Sequence, residues 1–338
     1  MTDQPQRMFT PPGQPGPPAP TRIIELAAGF MLSKTLFAAI DLGLFAAVGP
    51  EGGTPAEIGG RCDVPERSVR AMADMFAEAG LLVRDGDRFR NAPDAEAFLT
   101  GRGPLDLRPL ARYWDIVSYP TWVHATEAWR TRRGVRPVLD KEQTEAYELA
   151  VASVTAETAG DLARGYDFGR HRRLLDVGGG YGTFAKELLG AYGQLSATLV
   201  DLPEVAAVVA EQAADGPFAG RLAAVGADLL TEPLPGGHDA ILVANVVHLL
   251  GPEQIGVLLR RLREVVAPAG RLLLVDWWRV DRAPHPSSRF GAGEFLMISG
   301  GDLYQVDEVE QWLGEAGWRF AGHQPLPPPS SVIIAEPA

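Results

Sequence analysis

The stretch Leu174-Leu-Asp-Val-Gly-Gly-Gly-Tyr-Gly182 joins a short apolar run to glycines at positions 178, 180 and 182. The apolar run predicts a buried strand. The glycines remove side chains where a ligand must touch the backbone, and a helix starting at Thr183 would point its amides at that ligand. The stretch therefore predicts a cofactor loop at the end of one strand of an α/β domain.

After Phe168, short apolar runs alternate with amphipathic helical patterns, which is typical of a parallel α/β sheet. Ligands of such sheets bind at the carboxyl ends of the strands, so polar residues at these ends are candidate site residues. We predict a doubly wound α/β domain over residues 169–338, with an antiparallel edge between 318 and 337. The predicted strands are 173–177, 197–200, 222–225, 240–247 and 271–275, and the polar residues at their ends are Asp176, Asp201, Asp228, Asn245, His248 and Asp276.

The region before this domain has the pattern of a winged helix, which we place at residues 21–104. Apolar residues recur at helical spacing over 21–47 and predict one or two buried helices with a break near Gly43. Thr54-Pro-Ala-Glu57 has the form of a capping box, a second helix is predicted over 65–79, and Asp85-Gly86 predicts a hairpin. Residues 105–168 are predicted as a helical connector. The seven prolines in residues 1–20 predict a disordered tail.

Composition excludes several classes of protein. A net charge of -12 argues against a nucleic-acid partner, because phosphate binding needs a concentrated positive surface. Cys62 is the only cysteine, so an internal disulfide is excluded. We find no run of eighteen apolar residues and no secretory signal, so we expect no membrane span and a cytoplasmic location.

The loop also fits the loose pattern Gly-x-Gly-x-x-Ala of dinucleotide sites, which is a weak signal. Asp176 stands two residues before the first glycine, where a carboxylate would repel a pyrophosphate but suits the amino group of a methionine moiety. Asp201 lies one strand-helix-strand unit later, where a carboxylate accepts both ribose hydroxyls. These residues favour S-adenosyl-L-methionine over a dinucleotide.

With these motifs in view, the sequence resembles the plant-type small-molecule O-methyltransferases and their bacterial natural-product relatives. The resemblance extends from about residue 21 to the C-terminus. It is carried by Leu174 to Gly182, Val200-Asp-Leu-Pro-Glu-Val205, Gly226-Ala-Asp-Leu-Leu230, the segment around His248, Leu258 to Gly270 and Ala38-Ala-Ile-Asp-Leu-Gly-Leu-Phe45.

The resemblance implies a Rossmann-like methyltransferase domain preceded by an all-α winged-helix dimerisation domain, and a homodimer. It also implies S-adenosyl-L-methionine as methyl donor and S-adenosyl-L-homocysteine as product. His248 would be the catalytic base and Asp276 the acid that supports it. The implied cofactor residues are Asp176, Gly178 and Gly180 at the methionine end, Asp201 at the ribose, Asp228 and Leu229 at the adenine, together with Leu202 and Asn245.

Aromatic and apolar residues of the connector and the catalytic domain are candidates for a flat acceptor pocket, although core packing is the alternative for each. They are Trp114, Tyr119, Trp277, Phe295 and Met297. We predict no metal, because no pair of His or carboxylate residues has ligand spacing on one element.

Three departures from the family pattern keep other activities open. Leu249 and Leu250 follow His248 where the family has Asp-Trp, and Leu303 stands where a second supporting acid is common. Carbon methylation, or a catalyst that binds the cofactor without transferring its methyl group, therefore remain alternatives to oxygen methylation. In the winged helix, Arg67 and Arg70 are balanced by Glu66 and Asp74, which disfavours a DNA-binding regulator.

Overall fold

The structure is a computed structural model that describes residues 20–103, 105–279, 288 and 290–338. The predicted tail, apart from Pro20, lies outside these residues. The chain divides into two compact units, one ending at Ile116 and the other spanning Val117–Ala338. The division falls inside the stretch that we predicted as a connector, whose own boundaries stay predictions.

The N-terminal unit has the predicted order of helices followed by a hairpin. Gly43 separates α1 from α2 with a φ of 69°, a left-handed conformation that favours glycine. The capping box is confirmed, because Thr54 and Glu57 each accept a hydrogen bond from the other's backbone amide. The elements are α1 (Thr21–Asp41), α2 (Leu44–Val48), α3 (Pro55–Cys62), α4 (Glu66–Glu78), β1 (Leu82–Asp85), β2 (Arg88–Asn91), α5 (Pro93–Phe98) and α6 (Arg108–Tyr113).

Helix α1 corrects one prediction, because it is not buried within this chain. Only Phe37 and Ala39 are buried among its residues, while Ile23 is 72% exposed and Leu26 60%. Its apolar character thus exceeds what the unit itself can cover. Among the described residues it is also the one helix long and apolar enough to cross a membrane by length and composition alone. The absence of a membrane span and a cytoplasmic location stay predictions.

The C-terminal unit begins with helices and continues as the predicted alternation of strands and helices. A capping box between Asp140 and Gln143 fixes the start of its longest helix. Helices of this unit are α7 (Tyr119–Trp122), α8 (Ala125–Thr131), α9 (Lys141–Gly165), α10 (Thr183–Ala191), α11 (Pro203–Ala214), α12 (Pro252–Val265), α13 (Gly291–Ser299) and α14 (Val306–Glu315). Its strands are β3 (Arg173–Val177), β4 (Ser196–Asp201), β5 (Leu222–Gly226), β6 (His238–Ala244), β7 (Val266–Asp276), β8 (Trp318–Pro325) and β9 (Ser331–Pro337).

These strands form one sheet in the order β5-β4-β3-β6-β7-β9-β8. The first five are parallel, and β9 and β8 add the predicted antiparallel edge. A buried core lies on each face, one including Leu162 and Leu188, the other Leu259 and Leu313. The chain runs outward from β3 to β5, then returns to the other side of β3 at β6. This reversal opens a crevice at the carboxyl ends of β3 and β6, where ligands of such sheets bind.

Candidate active site

The glycine-rich loop leaves β3 at this crevice. Gly178 has a φ of 68°, and a Cβ atom there would lie 2.5 Å from Cγ2 of Val246, which follows β6. A side chain would therefore clash with the neighbouring strand end as well as strain the backbone. Glycine at this position lets the loop turn sharply beside β6.

Asp176, near the end of β3, is 1% exposed and lies beneath the loop. Neither of its carboxyl oxygens has a hydrogen-bond partner among the described residues. Burial raises the pKa of Asp176 to about 7, and repulsion from Asp201 adds to the rise. The backbone amide of Ala185 opposes the rise, although it does not form a hydrogen bond with the carboxyl group. A buried carboxyl group without partners is costly, so its position at a crevice points to a ligand that completes it.

Asp201, at the end of β4, has a different environment. Its Oδ2 accepts a hydrogen bond from the Gly180 amide at 2.8 Å, and its Oδ1 accepts one from the Leu202 amide at 2.7 Å. Burial raises the pKa of this carboxyl group, and the two amides oppose that rise. Each oxygen keeps acceptor capacity for a further donor, as the predicted contact with ribose hydroxyls requires.

Glu148 on α9 is a site residue that the sequence analysis missed. It is 7% exposed, and its Oε2 accepts a hydrogen bond from the Tyr181 amide at 3.2 Å. Burial, followed by repulsion from Asp201, raises the pKa of Glu148 to about 8. The available signal was an acidic residue at helical spacing from Thr144, Val151 and Thr155, which are half-buried or buried on the same face of the helix.

A cavity of about 460 Å³ joins these residues within the C-terminal unit. That volume is typical of small-molecule sites. Asp228 precedes Leu229, is exposed, and accepts a hydrogen bond from the Leu230 amide at its Oδ1. The predicted cofactor residues that line the cavity are Asp176, Gly178, Gly180, Asp201, Leu202, Leu229 and Asn245.

The cavity suits a positively charged ligand that carries hydroxyl groups. Glu148, Asp176 and Asp201 bring three carboxyl groups to its wall, and Asp176 finds no hydrogen-bond partner in the described part of the chain. S-adenosylmethionine presents an ammonium group, a sulfonium and two ribose hydroxyls, so it supplies what these groups lack. The residues present therefore fit this cofactor.

His248 follows β6 in a short 3-10 turn, and Asp276 ends β7. Nδ1 of His248 lies 2.5 Å from Oδ1 of Asp276, and the His248 amide donates to Oδ2 at 3.1 Å. The amide of Trp277 donates to Oδ1 at 2.8 Å, so the fully buried carboxylate has three donors. With Nδ1 donating its proton to Asp276, Nε2 is left with a lone pair and becomes a proton acceptor.

The structure places two of the five predicted acceptor residues beside His248. Phe295 stacks on His248 with ring centroids 3.7 Å apart, and Trp277 meets Phe295 edge-on at 5.5 Å. Met297 is fully buried against Ala128 and Leu296. Tyr119 is 38% exposed on α7, and Trp114 belongs to the N-terminal unit. Substrate contacts of all five stay predictions.

Tyr147 is a second residue that the sequence analysis did not select. It lines the cavity beside Glu148. Burial raises the pKa of its hydroxyl, and the charges of Glu148, Asp201, Glu294 and Asp276 add to the rise. The acidic groups around the cavity and Asp276 therefore both disfavour ionisation of Tyr147.

Two family models match the chain. An O-methyltransferase domain matches residues 134–319, and an O-methyltransferase dimerisation domain matches residues 24–101. The first covers more than half of the 338 residues and contains the loop, the cavity and the His248–Asp276 pair.

Individual relatives agree with these models. The chain is 31% identical over 307 residues to 3-hydroxy-5-methyl-1-naphthoate 3-O-methyltransferase of Streptomyces sahachiroi, covering 88% of this chain and 89% of the relative. It is 30% identical over 331 residues to the tetracenomycin polyketide synthesis 8-O-methyl transferase TcmO of Streptomyces glaucescens, covering 93% and 96%. The crystal structure of human N-acetylserotonin methyltransferase in complex with SAM shares the fold, with a TM-score of 0.83, 23% identity and coverage of 96% and 99%.

The predicted fold class and the resemblance are therefore confirmed, and S-adenosylmethionine is the cofactor rather than a dinucleotide. A catalyst that leaves the methyl group in place is not supported, because the chain carries a methyltransferase domain. The chain belongs to the O-methyltransferase family and is an S-adenosylmethionine-dependent methyltransferase of the natural-product type.

Proposed function

We propose that this enzyme methylates a hydroxyl group on an aromatic natural-product acceptor, with His248 as the general base. The observation that carries the proposal is the contact of 2.5 Å between His248 Nδ1 and Asp276 Oδ1. It fixes the ring orientation and the tautomer, so that Nε2 accepts a proton. Asp276 also stabilises the imidazolium that forms after proton transfer.

The bound cofactor supplies a methyl group on a positively charged sulfur and leaves as S-adenosyl-L-homocysteine. His248 takes the proton of the acceptor hydroxyl at Nε2 while that oxygen forms its bond to the methyl carbon. A phenol with an ordinary pKa near 10 is mostly protonated at neutral pH, so a base raises the nucleophilicity of its oxygen. Alignment of the oxygen with the methyl group contributes a further large part of the rate.

An aromatic acceptor is supported by the rings beside the base. Phe295 stacks on His248, and Trp277 stands edge-on to Phe295. Aromatic rings favour such offset or edge-on contacts with one another, so this wall suits a flat acceptor ring. One relative is named for a naphthoate with a 3-hydroxyl group, and another for a polyketide.

We also propose a homodimer formed through the N-terminal unit. Helix α1 exposes Ile23, Ile24, Leu26 and Met31 over half or more of their surface. The dimerisation-domain model covers residues 24–101, which include most of this helix. A second copy of the chain is the occupant that would bury these apolar side chains.

The proposed reaction is tested by incubating the full-length enzyme with S-adenosylmethionine and a panel of hydroxylated naphthoates, polyketides, non-aromatic alcohols and amines. S-adenosylhomocysteine is measured by chromatography, and the position of the new methyl group is assigned by NMR. An O–CH3 signal supports the proposal, whereas a methyl group attached to ring carbon indicates carbon methylation and overturns it. Turnover confined to non-aromatic alcohols or amines overturns the aromatic acceptor.

A further inference from the structure

The methyl-transfer mechanism above leaves Glu148 without a role. This residue lies on α9, between the buried residues Ala146 and Ala150, and is itself 7% exposed. Glutamate is rarely buried to this extent without a partner of opposite charge, because desolvating a carboxylate is costly. Its burial at the cofactor cavity therefore needs a physical reason.

Glu148 contacts the middle of the glycine-rich loop. The Tyr181 amide is its hydrogen-bond donor, at 3.2 Å from Oε2. A Cβ atom on Gly180, whose φ is 54°, would lie 2.4 Å from the same oxygen. The absent side chain at Gly180 thus makes room for this carboxyl group, which leaves most of its acceptor capacity for another donor.

Within the part of the chain that the structure describes, no cation compensates the acidic wall. Asp176 has no hydrogen-bond partner, and Asp201 uses backbone amides. Lys186 follows the loop, but its ammonium group donates to Gln212 at 2.9 Å. The described residues also form no group of three or more acidic, His or Cys side chains placed to hold a metal ion. The missing positive charge is therefore one that a bound ligand brings.

We propose that Glu148 is a cofactor-binding residue that accepts a hydrogen bond from the ammonium group of the methionine moiety. The ammonium group carries three N–H donors and a charge, which match a carboxylate with open acceptor sites. The sulfonium carries charge but no N–H donor, so it cannot complete the hydrogen bonding of Glu148. The inference rests on the assigned cofactor and is independent of the acceptor and of His248.

The experiment compares Glu148→Gln with wild type by calorimetric titration with three ligands. S-adenosylmethionine has both the ammonium and the sulfonium, S-adenosylhomocysteine has only the ammonium, and 5′-methylthioadenosine has neither. We expect Kd to rise tenfold or more for the first two ligands, as for the loss of a charge-assisted hydrogen bond. The Kd of 5′-methylthioadenosine should stay within about twofold of the wild-type value, since this ligand does not reach the carboxylate. Glu157→Gln is the matched control, because Glu157 is an exposed glutamate on the same helix.

Each other outcome overturns the proposal. Weaker binding of S-adenosylmethionine alone assigns Glu148 to the sulfonium, and an equal loss for all three ligands assigns it to support of the loop through Tyr181. Unchanged affinities remove it from the site. If Glu148→Gln fails to fold, Glu148→Asp keeps the charge but withdraws it by one methylene. That variant should also lose preference for the two amino-acid-bearing ligands over 5′-methylthioadenosine, and an unaltered preference contradicts the assignment.

Discussion

Two groups of carboxylates stand at the same edge of the sheet and differ in what surrounds them. At the cofactor cavity, Asp176 has no hydrogen-bond partner among the described residues, and Glu148 accepts a hydrogen bond from one backbone amide. At the proposed base, Asp276 accepts hydrogen bonds from the His248 ring and from two backbone amides. Burial raises the pKa of Asp176 to about 7 and the pKa of Glu148 to about 8.

The comparison shows how one residue type serves two purposes. A carboxylate with most of its acceptor sites filled has little capacity left for a ligand, but it holds its partner in one orientation. A buried carboxylate without hydrogen-bond donors raises the free energy of the ligand-free site, and a bound cation offsets that cost. Hydrogen-bond satisfaction, rather than position on the sheet, separates the two roles.

The largest effect is expected at the base. His248→Gln should lower kcat by about 10²-fold or more with little change in cofactor affinity, which is the usual worth of a positioned base. The variant should regain rate at high pH, where the phenol ionises without help from a base. Steady-state kinetics over pH 5 to 10 checks this, with the exposed His124→Gln as control. A variant with most of the wild-type activity and an unchanged profile would refute the base assignment.

Removing the charge of one carboxylate from each group tests the comparison itself. Asp276→Asn should lower kcat by about tenfold or more at saturating cofactor, because an amide facing Nδ1 disfavours the required tautomer. Asp176→Asn should instead raise the cofactor Kd and leave saturated kcat within a few fold. Kinetics and calorimetry on both variants are the measurements. If both variants change kcat and the cofactor Kd in the same way, the two groups of carboxylates do not differ in role.

Asp201→Ala addresses the predicted ribose contact. Removing a charged acceptor for two hydroxyls should weaken S-adenosylmethionine binding by more than tenfold. Titration calorimetry measures the Kd, and circular dichroism checks that the fold survives the loss of the Gly180 and Leu202 hydrogen bonds. An unchanged Kd would take Asp201 out of the cofactor site.

The stability of the protein without cofactor should depend on pH through Glu148. Its pKa in the fold, about 8, lies above the ordinary value of 4.5. The contribution of protonated Glu148 to the free energy of unfolding is therefore fully present below about pH 4.5 and is lost as pH rises through 8. Glu148→Gln should match wild type near pH 5 and exceed it above pH 8 by a few kcal/mol, since one pKa unit is worth about 1.4 kcal/mol. Thermal unfolding across this range is the measurement, and parallel curves for the two proteins would contradict the raised pKa.

The N-terminal unit offers a contrasting kind of surface, apolar instead of charged. Full-length protein should be a dimer in light scattering, and replacing Ile24 and Leu26 together by Glu should shift it toward monomer. Charges placed on an apolar interface are costly to desolvate, whereas on a free surface they change little. A wild-type monomer, or a dimer insensitive to this double change, would refute the proposed interface.

Local patterns predicted much of the fold. The capping box at Thr54 and Glu57, the break at Gly43 and the hairpin around Gly86 were correct because neighbouring residues determine them. The prediction that α1 is buried was wrong for the single chain. Apolar residues at helical spacing indicate that one face of a helix has to be buried, but not whether the same chain buries it. Glu148 was missed because an acidic residue within a helical pattern is usually a solvated one.

The sequence by itself determined the glycine loop and the residues available there, because each depends on a few adjacent positions. It placed the end of β6 at residue 247, which was wrong, because the strand ends at Ala244, where its pairing with β7 stops. Only the tertiary structure decided which carboxylates are satisfied. Glu148 meets the Tyr181 amide 33 positions along the chain, and His248 meets Asp276 across 28. Those pairings depend on how α9 packs over the loop and how β6 and β7 lie side by side. Burial then raises the free energy of any carboxylate that packing leaves without donors.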